Sequence, residues 1–253
     1  MIAYDRAGTG PVLVLLHPLG ADRHVWEPVL DRLTAERDVI ALDLPGFGDS
    51  PSLNGDGPPT PAALAAAIAE FLPTIAPDGP HHVAGNSLGG WVALELAAAG
   101  HARTVTAIAP AGMWPEPLAP KRGIARGLAK VMRPGLPALV RSPAGRRLAL
   151  AGTVADAERV PPAAALRLVQ AYADAAGFEA VNREMRASRF TRLEHIRVPV
   201  TLAWPEHDRL VARPAHLPPT VRSVDLPGAG HVPMWDAPEA VARLMLQGSR
   251  QAA

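Results

Sequence analysis

The sequence contains no cysteine. This absence excludes disulfide bonds, thiol catalysis and metal sites built from thiolates. No apolar run approaches the ~18 residues that a membrane-spanning helix needs. The formal net charge is +1, so nothing indicates the broad basic surface of a protein that binds nucleic acid.

Lysine is nearly absent as well, since the 25 basic residues comprise 2 lysines and 23 arginines. Residues 113–192 hold 14 of these 25 basic residues but only 6 of the 24 acidic ones, a net charge of +8 against −7 elsewhere. A solvated helical surface explains such a bias. The alternative is that some of these arginines, such as Arg183, Arg186 and Arg189, face the substrate and favour an anionic one.

The length suits one domain, or one domain with a sizeable insertion, and 48% of the residues are apolar, which excludes a disordered protein. The first residues do not read as a signal peptide, because Asp5, Arg6 and two nearby glycines interrupt any apolar run. We therefore expect a cytoplasmic protein without a membrane span.

Short β-type runs alternate with helical runs, a pattern that predicts a parallel sheet. The predicted strands are residues 12–16, 39–42, 83–84 (the end of a strand), 105–109, 198–204 and 223–226, and the predicted helices are 26–34, 61–75, 88–99 and 238–247. Residues 113–192 contain helical patterns, several prolines and no convincing strand. They predict a helical lid inserted after the strand that ends near Ala109, on a core of residues 1–112 and 193–253.

Residues 85–89, Gly-Asn-Ser-Leu-Gly, lie between a predicted strand and a predicted helix. A serine between glycines on such a turn is typical of a nucleophile elbow, which lifts the serine oxygen above the sheet edge. The N–H groups that open the helix, above all that of Leu88, point to the place where an oxyanion would form. The motif predicts that Ser87 is a nucleophile.

A serine nucleophile needs a base and an acid that orients the base. His231 follows the last predicted strand and precedes the last helix, so it suits the base in the chain order serine, acid, histidine. Asp208 follows the strand 198–204 and suits the acid. Glu206 is the competing acid, and a helix N-cap or an ion pair with Arg209 is the alternative role for Asp208.

Two further loops follow buried strands. Residues 17–20, His-Pro-Leu-Gly, come after the first of them, and the N–H of Leu19 is predicted to complete an oxyanion hole opposite Leu88. A plain tight turn is the alternative. Residues 43–50 form a loop rich in glycine, in which Asp43 is expected to accept loop hydrogen bonds rather than to catalyse.

Taken together, these motifs resemble the α/β-hydrolase superfamily, in its lidded, esterase-like branch, over nearly the whole chain. They are residues 17–20, 43–50 and 85–89 and the pair Asp208 and His231. The resemblance implies an α/β fold whose mostly parallel sheet is flanked by helices. It also implies a catalytic triad and no cofactor or metal.

The chain departs from the family pattern at two prolines. The family usually has glycine at the positions of Pro18 and Pro205. Pro18 removes one N–H donor from the oxyanion loop, and Pro205 stiffens the approach to Asp208. Neither change removes a catalytic side chain.

Other residues discriminate between branches of the family. Ser87 argues against the dehalogenase and epoxide-hydrolase branches, whose nucleophile is aspartate. Asn86 before the serine resembles the meta-cleavage C–C hydrolases, but those usually have tryptophan after the base, where this chain has Val232. Val232 and Pro233 look more like esterases, lactonases and cofactor-free perhydrolases.

We therefore predict a serine hydrolase that cleaves a small to medium carboxylic ester through an acyl-enzyme. The alternatives are a C–C bond hydrolase, a lactonase, a thioesterase, or a non-catalytic ligand-binding protein on the same fold. We expect the chain to bind a small-molecule substrate and no nucleic acid. A homodimer is a further possibility that the sequence does not decide. The predicted pocket residues are His17, Asn86, Met113, Trp114 and Val232.

Overall fold

The computed structural model describes residues 1–53, 57–120 and 124–250, and seven strands in these ranges form one sheet. They are β1 Tyr4–Ala7, β2 Val12–Leu16, β3 Asp38–Leu42, β4 His81–Asn86, β5 Ala102–Ile108, β6 Val200–Pro205 and β7 Val221–Leu226. Their spatial order is β1-β3-β2-β4-β5-β6-β7, and every pair is parallel except β1 with β3. This sheet confirms the predicted α/β class.

Helices cover both faces of the sheet. In the described part of the chain they are α1 Glu27–Thr34, α2 Pro61–Ile75, α3 Leu88–Ala98, α4 Ile124–Val131, α5 Leu136–Leu139, α6 Pro143–Ala149, α7 Pro162–Asp174, α8 Phe178–Ala187 and α9 Pro238–Gly248. The helices α2 and α3 pack on one face, and α1 and α9 pack on the other. The four helices predicted outside residues 113–192 are therefore all present.

The strand β2 shows why a fully buried strand reads as an unbroken apolar run. Val14 and Leu16 pack into the core that contains α2 and α3, whereas Leu13 and Leu15 pack into the core that contains α1 and α9. All four side chains are buried. With both faces covered, no position in the strand is left for a polar residue.

The pattern of the sequence does not predict β1. This strand lies at the edge of the sheet and pairs with β3 alone, and three of its four residues are exposed. Arg6 in β1 instead forms an ion pair with Asp38, with 2.9 Å between Nε and Oδ1. The predicted strand 105–109 also ends one residue early, because Ala109 turns to φ +43°.

Between β5 and β6 the described residues form helices α4 to α8 and short 3-10 turns, with no strand; residues 121–123 lie outside the description. The two ends of this segment run side by side. Leu118 N donates to Arg186 O at 2.7 Å, and Phe190 N donates to Gly112 O at 2.9 Å. Residues 113–192 are called the insertion below. Each helix in the described ranges is too short or too polar to cross a bilayer.

A buried histidine, His82, lies at the start of β4, at the opposite end of the strand from Ser87. His82 is 5% exposed, and its Nδ1 lies 2.8 Å from Thr104 Oγ1 in β5. Burial, together with the nearby cations Arg37 and Arg103, lowers the pKa of His82 to about 4. His82 is therefore neutral in the folded protein at neutral pH.

This pKa predicts a pH dependence of folding stability. In the unfolded chain a histidine binds its proton near pH ~6.5, whereas folded His82 does so only at about 4. The stability that depends on neutral His82 is thus complete above the unfolded value and is lost as the pH falls from there towards 4. His82→Gln should flatten the fall of Tm in this window, and thermal unfolding at a series of pH values measures it.

The matched control is His101→Gln, which alters an exposed histidine. This variant should keep the wild-type slope of Tm against pH. Equal slopes for His82→Gln and His101→Gln would contradict the prediction.

Candidate active site

Ser87 lies in the turn between β4 and α3, with φ +54° and ψ −113°. A positive φ is rare and strained for a residue with a side chain. Close packing leaves no room for side chains beside it: a Cβ on Gly85 would lie 2.2 Å from Gly89 O, and one on Gly89 would lie 2.0 Å from Leu16 O. The glycines of the motif therefore allow the turn that brings the serine to the sheet edge.

The turn is held by backbone hydrogen bonds on both sides of Ser87. Its N–H donates to Ile108 O at 2.9 Å, and its carbonyl accepts from Trp91 N and Ala111 N at 3.0 Å each. The residue is only 6% exposed. The strained conformation is thus fixed by β5 and α3 rather than by the turn alone.

His231 and Asp208 form a buried pair. His231 Nδ1 lies 2.7 Å from Asp208 Oδ2, and the two side chains are 6% and 3% exposed. Asp208 Oδ1 accepts from Leu210 N at 2.7 Å and from Val211 N at 3.1 Å. Every polar atom of the carboxyl group therefore has a donor, as a buried carboxylate requires.

The same contacts decide the charge of Asp208. Burial is the strongest influence and acts to raise the pKa of this carboxyl. The hydrogen bond and attraction of His231 and the N–H groups of Leu210 and Val211 outweigh it, so the pKa lies below its ordinary value. Asp208 is thus ionised and accepts the Nδ1 proton, which makes Nε2 the acceptor nitrogen in the neutral form of the His231 ring.

Glu206 does not take this place. It is exposed, and its Oε2 accepts from Gly228 N at 2.8 Å, so it braces the loop that leads to the histidine. The ion-pair partner of Asp208 is His231 rather than Arg209. Of the two candidate acids, only Asp208 contacts the histidine.

Asn86 ties the serine turn to the histidine loop. Its Nδ2 donates to Ile108 O at 3.1 Å and to His231 O at 3.0 Å. The residue is completely buried. The amide nitrogen of Asn86 therefore faces two backbone carbonyls, and its place in a substrate pocket stays a prediction.

His17 has a similar structural place. Its Nε2 accepts from Leu44 N at 2.9 Å, so Nδ1 carries the proton and donates to Pro18 O at 2.8 Å. Complete burial lowers the pKa of His17 despite that carbonyl and nearby Asp43, which keeps the ring neutral. His17 joins two loops through their backbones, and its pocket role stays a prediction.

Leu19 and Leu88 present N–H groups that donate to no other described residue. The first turn of α3 packs directly against the loop after β2, since a Cβ on Gly89 would also lie 2.7 Å from His17 O. The two N–H groups therefore belong to adjoining segments at one edge of the sheet. No hydrogen bond joins Ser87 Oγ to His231 Nε2 among the described residues, and such bonds are often long before substrate binds.

Asp43 is an architectural residue, as the sequence indicates. It is completely buried and accepts from Arg23 N at 2.7 Å and Asp49 N at 2.8 Å, and it forms an ion pair with the Arg23 guanidinium. Arg23 also bonds Asp5 and Asp49, each at 2.9 Å. Its contacts, which the sequence does not reveal, hold the loop 43–50 against the start of the chain.

The remaining predicted pocket residues lie along the insertion. The Trp114 ring stands edge-on to Trp91 at 5.8 Å, and its Nε1 donates to Ser188 O at 2.9 Å. Met113 is half-buried against the same core. Val232 is buried, and its N–H donates to Thr153 O at 2.8 Å.

The insertion contacts three core loops, each at a glycine. Gly20 of the loop after β2 touches the Tyr172 and Phe178 rings, where a Cβ would lie 2.6 Å and 3.2 Å away. Gly46 accepts a hydrogen bond of 2.8 Å from Gly177 N. A Cβ on Gly230 would lie 2.7 Å from the Ala155 nitrogen. Sequence motifs do not reveal these contacts, because their partners are distant in the chain.

The arginines proposed to face an anionic substrate are mostly engaged elsewhere. Arg183 forms an ion pair with Glu184 at 3.0 Å, and Arg186 Nε donates to Ala119 O at 2.7 Å. Arg189 is exposed and has no ion-pair partner among the described residues. The guanidinium group of Arg186 thus joins two parts of the insertion, whereas Arg183 pairs only with its neighbour in the chain.

Comparison with known proteins shows to which family the chain belongs. The profile of the Alpha/beta hydrolase family matches residues 13–244. The chain is 35% identical to the epoxide hydrolase EphH of Mycobacterium tuberculosis over 182 residues. This matched stretch covers 65% of this chain and 83% of that protein. It is 42% identical to a pimeloyl-acyl-carrier-protein methyl ester esterase of Aeromonas salmonicida over 96 residues. This shorter stretch covers 38% of this chain and only 35% of that protein.

Solved structures share the whole fold. A bacterial membrane phospholipase A, described as a virulence factor, has a TM-score of 0.73 and 28% identity, covering 99% of this chain and 84% of its own. A thermophilic esterase from Thermogutta terrifontis has a TM-score of 0.74 and 23% identity, with coverage of 99% and 93%. The enol-lactonase of Burkholderia xenovorans has a TM-score of 0.74 and 22% identity, with coverage of 97% and 95%. At these last two identities the likeness concerns the fold alone.

The pair of Asp208 and His231 predicts a spectroscopic signature. A ring N–H in a short bond to a carboxylate is strongly deshielded, so the Nδ1 proton of His231 should resonate far downfield in proton NMR of protein with labelled histidines. Asp208→Asn should move this resonance upfield, because a neutral amide oxygen is a weaker acceptor.

Glu206→Gln is the matched control and should leave the resonance in place, as should the Nδ1 proton of His17 in both variants. A His231 resonance that responds to Glu206→Gln rather than to Asp208→Asn would reassign the acid.

Proposed function

The chain belongs to the alpha/beta hydrolase family, and on this premise we propose that it is a serine hydrolase that cleaves a small to medium carboxylic ester. The observation that carries the proposal is the buried pair of His231 and ionised Asp208, 2.7 Å apart, at the sheet edge where Ser87 occupies its strained turn. Asn86 bonds the histidine backbone to the serine turn, which supports the same assignment. A nucleophile, a base and an orienting acid are the parts that acyl transfer by serine requires.

The reaction follows from these assignments. His231 Nε2 takes the proton of the Ser87 hydroxyl while the serine oxygen attacks the ester carbonyl. Asp208 holds the imidazole in the required tautomer and stabilises the positive charge that it acquires. The N–H groups of Leu19 and Leu88 stabilise the oxyanion. The alcohol leaves with the proton of His231, and water, activated by the same histidine, releases the acid from Ser87.

The insertion acts as a lid in this proposal, on a core formed by residues 1–112 and 193–253. Ser87 and His231 are only 6% and 5% exposed. The insertion contacts the loops after β2 and β3 and the histidine loop. A substrate therefore reaches Ser87 only when the insertion moves, as lids do in many enzymes.

The chemistry of Ser87 argues against epoxide hydrolysis, although one relative bears that name. A serine oxygen that opens an epoxide forms an ether, which water does not cleave under the conditions that release an acyl-enzyme. The enzyme would be consumed in one turnover. An ester or a lactone instead leaves an acyl group on the serine, which the same histidine can hydrolyse. The cytoplasmic location and the homodimer stay predictions from the sequence.

Labelling with a fluorophosphonate tests the proposal directly, because this probe reacts with an activated serine. The wild-type protein should be labelled, and Ser87→Ala should not. With p-nitrophenyl esters of rising acyl length, Ser87→Ala should lower kcat by about 10³-fold or more, while Tm should change little because the turn accommodates a smaller side chain.

His231→Gln should be as inactive as Ser87→Ala. The matched control is His207→Gln, which alters an exposed histidine near Asp208 and should keep most of the activity. An unlabelled wild-type protein without esterase activity would indicate the non-catalytic alternative. Equal losses in both histidine variants would show that His231 is not the base.

A further inference from the structure

Asp236 follows His231 by five residues and is absent from the catalytic assignments above. Its carboxylate accepts three backbone hydrogen bonds. Oδ2 accepts from Gly230 N at 2.8 Å and from Ala155 N at 3.0 Å, and Oδ1 accepts from Asp156 N at 2.8 Å. Gly230 immediately precedes His231, whereas the other two donors belong to the insertion. One carboxylate thus joins the histidine loop to the insertion.

The backbone on the other side of His231 is joined to the same part of the insertion. Val232 N donates to Thr153 O at 2.8 Å. Gly230 allows this close approach, because a Cβ there would lie 2.7 Å from Ala155 N and 2.9 Å from Thr153 O. Residues 153–156 therefore hold the backbone immediately before and after the histidine, and the name histidine clamp is used below for Asp236 and residues 153–156.

The hydrogen bonds that Asp236 accepts are stronger than bonds between neutral groups. A carboxylate that accepts backbone N–H groups forms charge-assisted hydrogen bonds, which are shorter and stronger than neutral ones. Without the carboxylate, three N–H groups would lose their acceptor at once. On the core side, Asn86 Nδ2 donates a hydrogen bond to the carbonyl of His231. The histidine loop is therefore positioned jointly by the core and the insertion.

We propose that Asp236 is a positioning residue that couples the catalytic histidine to the insertion. His231 reaches its working orientation only while residues 153–156 are seated against its loop, so closure of the insertion completes the catalytic site as well as covering it. The proposal rests on the function proposed above, because it takes His231 as the base. It assigns to the insertion an influence on kcat, beyond any influence on substrate binding.

The first test replaces the carboxylate. Asp236→Ala should lower kcat for a neutral p-nitrophenyl ester at least about 10-fold and change KM less than about twofold, as expected when a group acts on the transition state rather than on substrate binding. Asp236→Asn keeps one acceptor oxygen, which can serve Gly230 and Ala155. Its kcat should lie between those of the wild type and Asp236→Ala. The His231 Nδ1 proton resonance should shift or broaden in the same order.

Glu239→Gln is the matched control. It removes a carboxylate three residues further along the chain, whose contact is an exposed ion pair with Arg32. Its kcat, KM and His231 resonance should equal those of the wild type. This control separates the three hydrogen bonds of Asp236 from a general effect of lost negative charge.

The second test approaches the clamp from the insertion. Ala155→Pro removes the N–H that donates to Asp236 Oδ2 and places a ring carbon where that hydrogen lay, so it breaks the contact without changing any residue of the histidine loop. It should lower kcat with little change in KM. In the double variant with Asp236→Ala the losses should not add, because both changes break the same contact.

The outcomes distinguish this proposal from the function on which it rests. A wild-type protein that a fluorophosphonate does not label contradicts the proposed function. A labelled wild type, with folded Asp236→Asn labelled at the same rate and with an unchanged His231 resonance, overturns the clamp alone. A loss of kcat that only mirrors the unfolded fraction in thermal melts, or a rise of KM without a fall of kcat, also overturns it. If Asp236→Ala does not fold, Asp236→Asn and Ala155→Pro decide by the same criteria.

Discussion

The chain turns from β4 into α3 at Ser87 with a positive φ, and the other parts of the site are arranged around this turn. The conformation persists because the packing around it leaves no alternative path: Gly85 and Gly89 lie against backbone atoms of α3 and β2. The strain is a local cost that is offset by the hydrogen bonds of Ser87 to β5 and α3. The position of the serine is therefore a property of three elements rather than of the five-residue motif.

Around this turn, polar side chains act mainly on backbone groups. His17 connects Pro18 to Leu44, Asn86 connects the serine turn to His231, and Asp236 connects the histidine loop to the insertion. Loops carry no ladder of hydrogen bonds of their own, so their buried N–H and C=O groups need such partners. Each of these side chains fixes a loop that presents a group to the site, which explains why polar residues are buried in an otherwise apolar core.

Two buried arginines of the basic insertion have a similar role. Arg126 donates to the carbonyls of Tyr172 and Ala175 at the end of α7, and Arg146 donates to Val140 O and Glu158 O. The last carbonyls of a helix lack partners within the helix and attract such cations. A segment of short helices has many helix ends, and the terminal carbonyls at each end need hydrogen-bond donors. Arginine, with five donors on a long side chain, suits this task better than lysine.

The sequence by itself determined the class of fold, the position of every parallel strand of the sheet and four of its helices, because a buried strand and an amphipathic helix leave different periodic patterns of apolar residues. It also predicted that Ser87, Asp208 and His231 lie at one edge of the sheet, since each follows a strand and parallel strands end at one edge; of these three, the structure joins Asp208 to His231 by a hydrogen bond. Only the tertiary structure showed that Asp208 bonds His231 whereas Glu206, two positions earlier in the same loop, bonds Gly228 N. It also showed that His17 and Asn86 form hydrogen bonds with backbone groups, and that Asp236 links the histidine loop to the insertion. These contacts join residues as far as 145 positions apart, as Asn86 and His231 are, and no local pattern encodes such a distance.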